Sequence, residues 1–183
     1  MRLKIEGKEN IDSSATYVFV ANHLSMLDIP TYALACNNTF RFLSKAELGK
    51  VPLLGYVIRK LYITVDRNNK SDRSKSLEKM LSSLREGISV FLAPEGTRNT
   101  TADPLLEFKD GAFRLAIAAQ IPVAVLTIKN SAKLLSPLKT FEMKPGTITC
   151  RWSVPVETKG MTENDLPLLK EKVRNEMINF LTS

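Results

Sequence analysis

The chain contains one histidine, His23, and a carboxylate follows it five residues later at Asp28. Both lie in the stretch VFVANHLSMLDIP, residues 18–30, which begins with an apolar run. Residues five apart on a regular helix point about 140° away from each other, so a helix would not pair them. A turn that leads into a helix would return Asp28 to His23, where the carboxylate holds one ring nitrogen and leaves the other free as a base. The pattern therefore favours general-base chemistry.

Two other interpretations of this stretch stay open from the residues alone. In the first, Asp28 caps a helix that begins near Pro30, and His23 is a hydrogen-bonded histidine of the core. In the second, Ser25 is a nucleophile. That interpretation is disfavoured because Ser25 stands only two residues after His23 and no GxSxG motif occurs in the chain.

A second candidate for chemistry is the stretch FLAPEGTRN, residues 91–99. Pro94 ends an apolar strand, and Gly96 in the following turn permits a tight approach of the backbone to a ligand. Arg98 offers a planar pair of donors that suits phosphate oxygens. The alternative is a surface turn with a solvated arginine.

Two more cations follow predicted strands, Lys45 after FRFLS and Arg67 after YITVD. Each alone is more often a solvated charge than a ligand. If both met Arg98 at one edge of a sheet, the three would form a site for a dianion such as a phosphate.

The elements that must position these groups alternate between strands and helices along the chain. Strands are predicted at residues 3–7, 17–21, 40–44, 62–66, 88–94, 121–128 and 146–156. Helices are predicted at residues 29–36, 51–62, 71–87, 109–120 and 163–181. This order indicates one α/β domain over residues 1–183, with a largely parallel, mixed sheet and helices on both faces. Ligands of such folds bind beyond the carboxyl ends of the strands, where His23, Lys45, Arg67 and Arg98 are expected.

Two details of these elements are specific enough to check. The alternation in residues 146–156 is typical of an edge strand. Helix 71–87 is expected to start at a Ser or Asp cap. Its apolar stripe is expected to consist of Leu77, Met80, Leu81 and Leu84.

Composition limits the partners and the ligands. The formal net charge of +7 favours anionic partners, although a merely solubilising charge is the alternative. Aromatic residues make up 7% of the chain and do not interleave with basic ones, which disfavours nucleic acid. Cys36 and Cys150 stand far apart and are expected to be small buried hydrophobes, and with one histidine they make no convincing metal site.

No segment of the chain is predicted to cross a membrane. The long uncharged apolar run at residues 115–128 is shorter than the roughly 20 residues that a span needs. The apolar segment 51–62 is expected either to lie on anionic lipid or to be a plain core helix. Its aliphatic strip, residues 51–58, is flanked by the cations Lys50, Arg59 and Lys60. Each contributes about 1 kcal/mol near an anionic surface.

These residues also resemble a known family. NHLSMLD, residues 22–28, resembles the NHx4D block of the glycerolipid acyltransferases, and EGTR, residues 95–98, resembles their EGTR block. Further similar blocks are residues 45–48 with Pro52 and Gly55, residues 63–67, residues 108–112 and residues 121–124. The blocks occur in family order over roughly residues 1–155. The resemblance is strongest to the bacterial members that acylate 1-acylglycerol-3-phosphate.

The resemblance implies a glycerol-3-phosphate acyltransferase-like fold and the transfer of an acyl chain from a thioester to the 2-hydroxyl of lysophosphatidate, giving phosphatidate without an acyl-enzyme. His23 would be the general base and Asp28 would orient it. The groups that would bind the glycerol phosphate are Glu95, Gly96, Thr97, Arg98, Arg67 and Lys45. The co-substrate would be acyl-coenzyme A or acyl-carrier protein, with no metal and no other cofactor. The protein would act peripherally on anionic lipid at the cytoplasmic face of the cell membrane.

One departure from the family pattern concerns the N-terminus. Many members carry a hydrophobic segment or helix pair before the first strand, whereas here a strand is expected almost at Met1. Two alternatives to the implied function remain. One is the same chemistry on a different lysolipid, either another lysophospholipid or an acylated amino-acid lipid. The other is a non-catalytic module that binds anionic lipid.

Overall fold

The computed structural model describes residues 1–47, 56, 62–66, 69–138 and 142–183, and of Lys45 and Lys70 it describes the backbone alone. The strands are β1 (Arg2–Glu6), β2 (Val18–Ala21), β3 (Phe40–Lys45), β4 (Tyr62–Val65), β5 (Ser89–Leu92), β6 (Val123–Lys129) and β7 (Thr147–Trp152). The helices are α1 (Asp28–Ala35), α2 (Lys70–Arg85), α3 (Gly111–Ala119), α4 (Ser131–Leu134) and α5 (Leu166–Thr182), with short 3₁₀ turns at Lys8–Asn10 and Glu163–Asp165. Most of the predicted helix 51–62 lies outside the described residues.

The described strands form one sheet in the order β1-β7-β6-β2-β5-β3-β4. Neighbours pair in parallel except β6 and β7, which are antiparallel. This arrangement confirms the predicted mixed, largely parallel α/β sheet. The domain bounds stay a prediction.

Each face of the sheet has its own hydrophobic core. Because successive strand residues point to opposite faces, Val18 and Val20 of β2 join the core under α2, α3 and α5, while Phe19 joins the core on the α1 side. Phe19 contacts Phe91 and Trp152 there, with ring centroids 5.6 Å and 5.2 Å away. Burial of each such side chain contributes about 1.5–3 kcal/mol. The fully buried central strands thus give the site a rigid base.

The predicted edge position of residues 146–156 is wrong. β7 lies inside the sheet, between β6 and β1, and the outer strand on that side is β1. One face of β7 is buried at Ile148, Cys150 and Trp152, whereas Thr149 and Arg151 on the other face are half-exposed. The alternation therefore reports that one face is fully covered, and it carries no information on how many neighbouring strands pair with β7.

Helix α2 also differs from its prediction in two details. Its cap is Asn69, whose side chain accepts the N–H of Asp72, so the helix starts earlier than expected. Leu77 is 38% exposed, and Ser76 and Ser83 are buried in its place. Each of these serines donates its hydroxyl to a backbone carbonyl of the preceding turn at 2.9 Å, which removes the cost of burying it.

The carboxyl ends of the parallel strands meet at one edge of the sheet, which we call the site edge. β2 leads to His23 there, β3 ends at Lys45, and β5 leads to Glu95. None of the described helices is long and apolar enough to cross a bilayer.

Candidate active site

His23 and Asp28 form a hydrogen-bonded pair. His23 follows β2 and Asp28 is the first residue of α1, and the turn between them brings the ring Nδ1 to 2.9 Å from Asp28 Oδ2. Nδ1–H donates to the carboxylate, which leaves Nε2 as the nitrogen that can accept a proton. The His23 side chain is 17% exposed and lines a cavity, so His23 is not a fully buried core residue.

Asp28 is fixed by the same turn. It is completely buried, and its Oδ2 also accepts the backbone N–H groups of Leu24 at 2.6 Å and Ser25 at 2.7 Å. Because one oxygen atom takes all three bonds, the carboxylate cannot rotate without breaking the turn.

Ser25 is placed as a structural residue. Its side chain is buried, and its hydroxyl donates to the carbonyl of Leu135 at 2.8 Å. The hydroxyl is therefore engaged with the backbone of Leu135, which disfavours the serine-nucleophile interpretation.

Glu95 binds the backbone next to the His23 side chain. It is 2% exposed, and its two oxygens accept the backbone N–H of His23 at 2.9 Å and of Leu106 at 2.8 Å. Desolvation by burial raises the pKa of Glu95, and the two N–H groups oppose this rise. Gly96 follows with a φ of 75°, a left-handed conformation that favours glycine. Gly96 lines the cavity, whereas Glu95 is not among the described lining residues.

The cavity at the site edge has a volume of about 1020 Å³. Its aromatic wall consists of Tyr32, Phe42, Tyr62 and Phe91. In this wall Tyr32 stacks on Phe91 with centroids 4.7 Å apart, and Phe42 stacks on Tyr62 at 5.0 Å. The polar lining comprises His23, Ser44, Thr97, Arg98, Thr100 and Thr101. A cavity with an apolar wall and a polar rim suits an amphiphilic ligand with an anionic head.

Among the residues that the structure describes, Arg98 is the cation that lines the cavity. Its Nη2 contacts the sulfur of Met26, and its Nε is buried without a hydrogen-bond partner among the described residues. The guanidinium therefore retains donors for an anion. Lys45 ends β3, but its side chain is not described, and Arg67 lies outside the described residues, so the convergence of three cations stays a prediction.

Among the residues that the structure describes, no three His, Cys, Asp or Glu side chains come together to hold a metal ion. Cys36 and Cys150 are buried free thiols, as predicted, and burial raises the pKa of each to about 11.

A family model described as Acyltransferase matches residues 2–129 of the chain. The chain belongs to the acyltransferase family. It is 32% identical over 98% of its length to an uncharacterized acyltransferase of Schizosaccharomyces pombe, of which it covers 65%. It is 31% identical, also over 98% of its length, to the 1-acyl-sn-glycerol-3-phosphate acyltransferase of Saccharomyces cerevisiae, of which it covers 59%. This acyltransferase-family chain thus spans about three fifths of the length of these curated relatives.

A solved structure shares the fold of this family member. The crystal structure of the 1-acyl-sn-glycerophosphate (LPA) acyltransferase PlsC from Thermotoga maritima superposes with a TM-score of 0.80 at 28% identity. The match covers 96% of this chain and 69% of the other. Since similar proteins occur in fungi and in a bacterium, the resemblance is not confined to bacterial members.

Three residues of this acyltransferase-family site were missed by sequence reasoning. Asn22 bridges β2 to β6 by exchanging two hydrogen bonds with the backbone of Ile128, at 2.9 Å and 2.8 Å. Tyr32 donates its hydroxyl to the Asn22 carbonyl at 2.5 Å. Asn99 donates its backbone N–H to the His23 carbonyl at 2.7 Å. An asparagine directly after an apolar strand is a usable signal for the first bridge, but nothing in the sequence points to Asn99.

Proposed function

We propose that the protein transfers a fatty acyl chain from a thioester to the 2-hydroxyl of 1-acylglycerol-3-phosphate, giving phosphatidate. The observation that carries this proposal is the 2.9 Å hydrogen bond between His23 Nδ1 and Asp28 Oδ2, at a cavity that also presents Arg98. The activities for which the Saccharomyces cerevisiae and Thermotoga maritima relatives are named support the same reaction.

In this reaction His23 is the general base. Its Nε2 takes the proton of the 2-hydroxyl as the hydroxyl oxygen attacks the thioester carbonyl carbon. The C–S bond then breaks, and the leaving thiolate takes the proton back from the imidazolium. Asp28 holds the Nδ1–H and stabilises the positive ring that forms in between. A base of this kind contributes about 10²–10⁴ in rate.

The acceptor is held by its phosphate. Arg98 is the principal donor in this proposal, with Gly96 and Thr97 beside it and Lys45 and Arg67 as further cations. Ionic hydrogen bonds of this type each contribute about 1.5–3 kcal/mol. The aromatic wall of the cavity accommodates apolar parts of the substrates.

The donor is a thioester, either acyl-coenzyme A or acyl-carrier protein, and the proposed reaction needs no metal and no further cofactor because the thioester is already activated. The lipid acceptor and the net charge of +7 support action on an anionic membrane surface. We place that surface at the cytoplasmic face of the cell membrane, where the protein is peripheral.

The test uses the purified protein with oleoyl-coenzyme A and 1-acylglycerol-3-phosphate in detergent, and follows the release of free thiol. We expect acceptor-dependent release that falls at least about 10²-fold in His23→Ala. Ser25→Ala is the control, because its hydroxyl is engaged with Leu135 and takes no part in the reaction. Release that requires Ser25 but not His23 would contradict the mechanism.

Two further arms identify the donor and test the non-catalytic alternative. Release with acyl-carrier protein thioesters alone would assign that donor. No release with either donor, together with retained binding to anionic vesicles, would favour the lipid-binding module.

Arg98→Ala identifies the acceptor class. For a phosphorylated acceptor we expect the KM of the acceptor to rise by about 10-fold or more, since an ionic hydrogen bond is lost. Arg85→Ala, an exposed arginine at the end of α2 away from the site edge, is the control. An unchanged acceptor KM in Arg98→Ala would favour a lysolipid without phosphate.

A further inference from the structure

We propose that Asn99 is a positioning residue for His23, because its side chain folds the loop whose backbone holds the histidine in place. The inference rests on the proposed function and concerns the same site. The loop comprises residues 95–106, and we call it the 95–106 loop.

The backbone of His23 is held on both sides by this loop. Its N–H donates to Glu95 Oε1 at 2.9 Å, and its carbonyl accepts the N–H of Asn99 at 2.7 Å. Glu95 and Asn99 are 2% and 3% exposed, so water does not compete for these bonds. Asp28 orients the ring of His23, whereas Glu95 and Asn99 fix the position of the backbone from which the ring extends.

The side chain of Asn99 makes three hydrogen bonds within the loop. Its Oδ1 accepts the backbone N–H of Thr101 at 2.9 Å and the Thr101 hydroxyl at 2.8 Å. Its Nδ2 donates to the carbonyl of Asp103 at 2.8 Å. These bonds close a tight turn over residues 99–103, and the turn sets the direction of the Asn99 N–H. Without the side chain, that N–H loses the support that aims it at His23.

The two anchors also bracket the residues proposed to bind the acceptor. Gly96, Thr97 and Arg98 are the residues between Glu95 and Asn99, and all three line the cavity. The short segment that contacts the acceptor phosphate is therefore fastened at both ends to the backbone of the general base. Asn99 sets the distance between the phosphate and Nε2, and a misplacement of about 1 Å at such a site costs up to 10²-fold in rate.

The chain offers a closely matched control in Asn38. It is 7% exposed, and its Nδ2 donates to the carbonyls of Asp12 and Ala15 at 2.9 Å and 2.8 Å. Asn38 precedes β3 and so lies at the opposite edge of the sheet from His23. Asn99→Ala and Asn38→Ala both remove a buried amide that holds a loop, but only the first touches the support of His23.

The first measurement is a ring ¹⁵N–¹H correlation spectrum of tag-free protein, which reports His23 alone because the chain has one histidine. We expect the parent and Asn38→Ala to show one set of ring signals with Nδ1 protonated. In Asn99→Ala we expect shifted signals and a second set, as the ring samples positions without the Asp28 bond. This measurement needs no substrate, so it tests the effect of Asn99 on His23 even if the proposed function is wrong.

The second measurement is the kinetic split in the thiol-release assay. For Asn99→Ala we expect kcat to fall about 10-fold or more, with a smaller change in the acceptor KM than in Arg98→Ala. Asn99→Asp keeps an oxygen for the contacts to Thr101, but it loses the donation to Asp103 and puts a carboxylate oxygen against that carbonyl, so its kcat should also fall below that of the parent. It also serves if Asn99→Ala fails to fold.

The proposal is overturned if folded Asn99→Ala gives the ring spectrum and the kcat of Asn38→Ala. It is also overturned if Asn99→Ala raises the acceptor KM as Arg98→Ala does while kcat and the ring spectrum stay unchanged, because Asn99 would then shape only the acceptor site.

Discussion

Oδ2 of Asp28 accepts three hydrogen bonds, one from the ring of His23 and two from the backbone of the turn. Asp28 therefore has two roles: its oxygen holds the turn, and its negative charge stands beside the ring. The bonds from Leu24 and Ser25 require an oxygen at this point, whatever the charge of the side chain. An asparagine there would keep its oxygen toward the three donors and put its NH₂ where Oδ1 stands. Oδ1 is buried without a hydrogen-bond partner among the described residues. The substitution thus removes the charge and preserves the orientation of His23.

We predict that Asp28→Asn lowers kcat by about 10²-fold or more, because the positive imidazole formed in the reaction loses its counter-charge. Stability should fall by about 1–3 kcal/mol, since the new NH₂ is buried without an acceptor. Thiol-release kinetics and urea unfolding measure the two effects. Asp103→Asn, at an exposed side chain, is the control. Full kcat in Asp28→Asn would show that orientation alone suffices.

Glu95 gives a prediction about pH. Burial raises its pKa in the folded state, so its contribution to stability is fully present below the unfolded pKa, about 4.3, and is lost as pH rises through the folded pKa. Glu95→Gln cannot ionise and lacks this dependence. We therefore expect the stability advantage of the parent over Glu95→Gln to shrink as the pH is raised from 4 to 8. Urea unfolding across that range measures it, and an advantage that grows with pH would contradict the assignment.

At the scale of elements, the turn after β1 shows how closely two segments meet. Gly7 has a φ of 70°, and a Cβ built on it would lie 2.2 Å from the carbonyl oxygen of Trp152. That carbonyl also accepts the side chain of Asn10 at 3.0 Å. The outer strand β1 is therefore fastened to the end of β7 by a contact that only glycine permits.

We predict that Gly7→Ala destabilises the fold by more than Gly160→Ala. Gly160 also has a positive φ, of 81°, but nothing lies within 4 Å of its Cβ position, so its replacement costs only the left-handed strain, about 1–2 kcal/mol. The difference between the two variants in thermal or urea unfolding isolates the close approach of β1 to β7. Equal losses of stability in the two variants would mean that the backbone at residue 7 moves away from Trp152 at no cost in free energy.

Sequence reasoning succeeds for features that depend on residues close together in the chain, and it fails for contacts between distant segments. The strands and helices follow from apolar runs and their periods, and the His23–Asp28 turn follows from one five-residue spacing. The interior position of β7 depends on its pairing with β1 across the chain, which alternation does not encode. Likewise, the bonds from Glu95 and Asn99 to the His23 backbone join segments about 70 residues apart, and no local pattern reports them.

At the scale of the whole molecule, the topology places different groups at the two edges where the strands end. His23, Lys45 and Arg98 belong to the site edge, while β1 and β7 run against the parallel strands and finish at the opposite edge. Lys8 and Lys159 follow those strands there and are exposed. If the protein acts on lipid as proposed, the two ends should differ in how much their charges contribute to membrane binding.

We predict that the protein binds vesicles containing anionic lipid more tightly than neutral vesicles, and that salt weakens this binding. Alanine at Lys50, Arg59 and Lys60, which lie outside the described residues, should weaken it by roughly 3 kcal/mol, or about 10²-fold. The control removes the same charge at Lys8, Arg85 and Lys159, away from the site edge. Vesicle sedimentation measures both triple variants, and equal losses would contradict a localised docking surface.

The reversed direction of β1 has a practical consequence for following such binding. Arg2 pairs with Thr147, and the N–H of Arg2 donates to the carbonyl of Gly146, so the first strand starts at the site edge. At the other terminus, Ser183 accepts a hydrogen bond from Lys129 at the end of β6, on the same edge. A fluorophore attached at Arg2 or Ser183 therefore stands at the site edge of the sheet. Energy transfer from it to dye-labelled lipid would report the orientation of the bound protein directly.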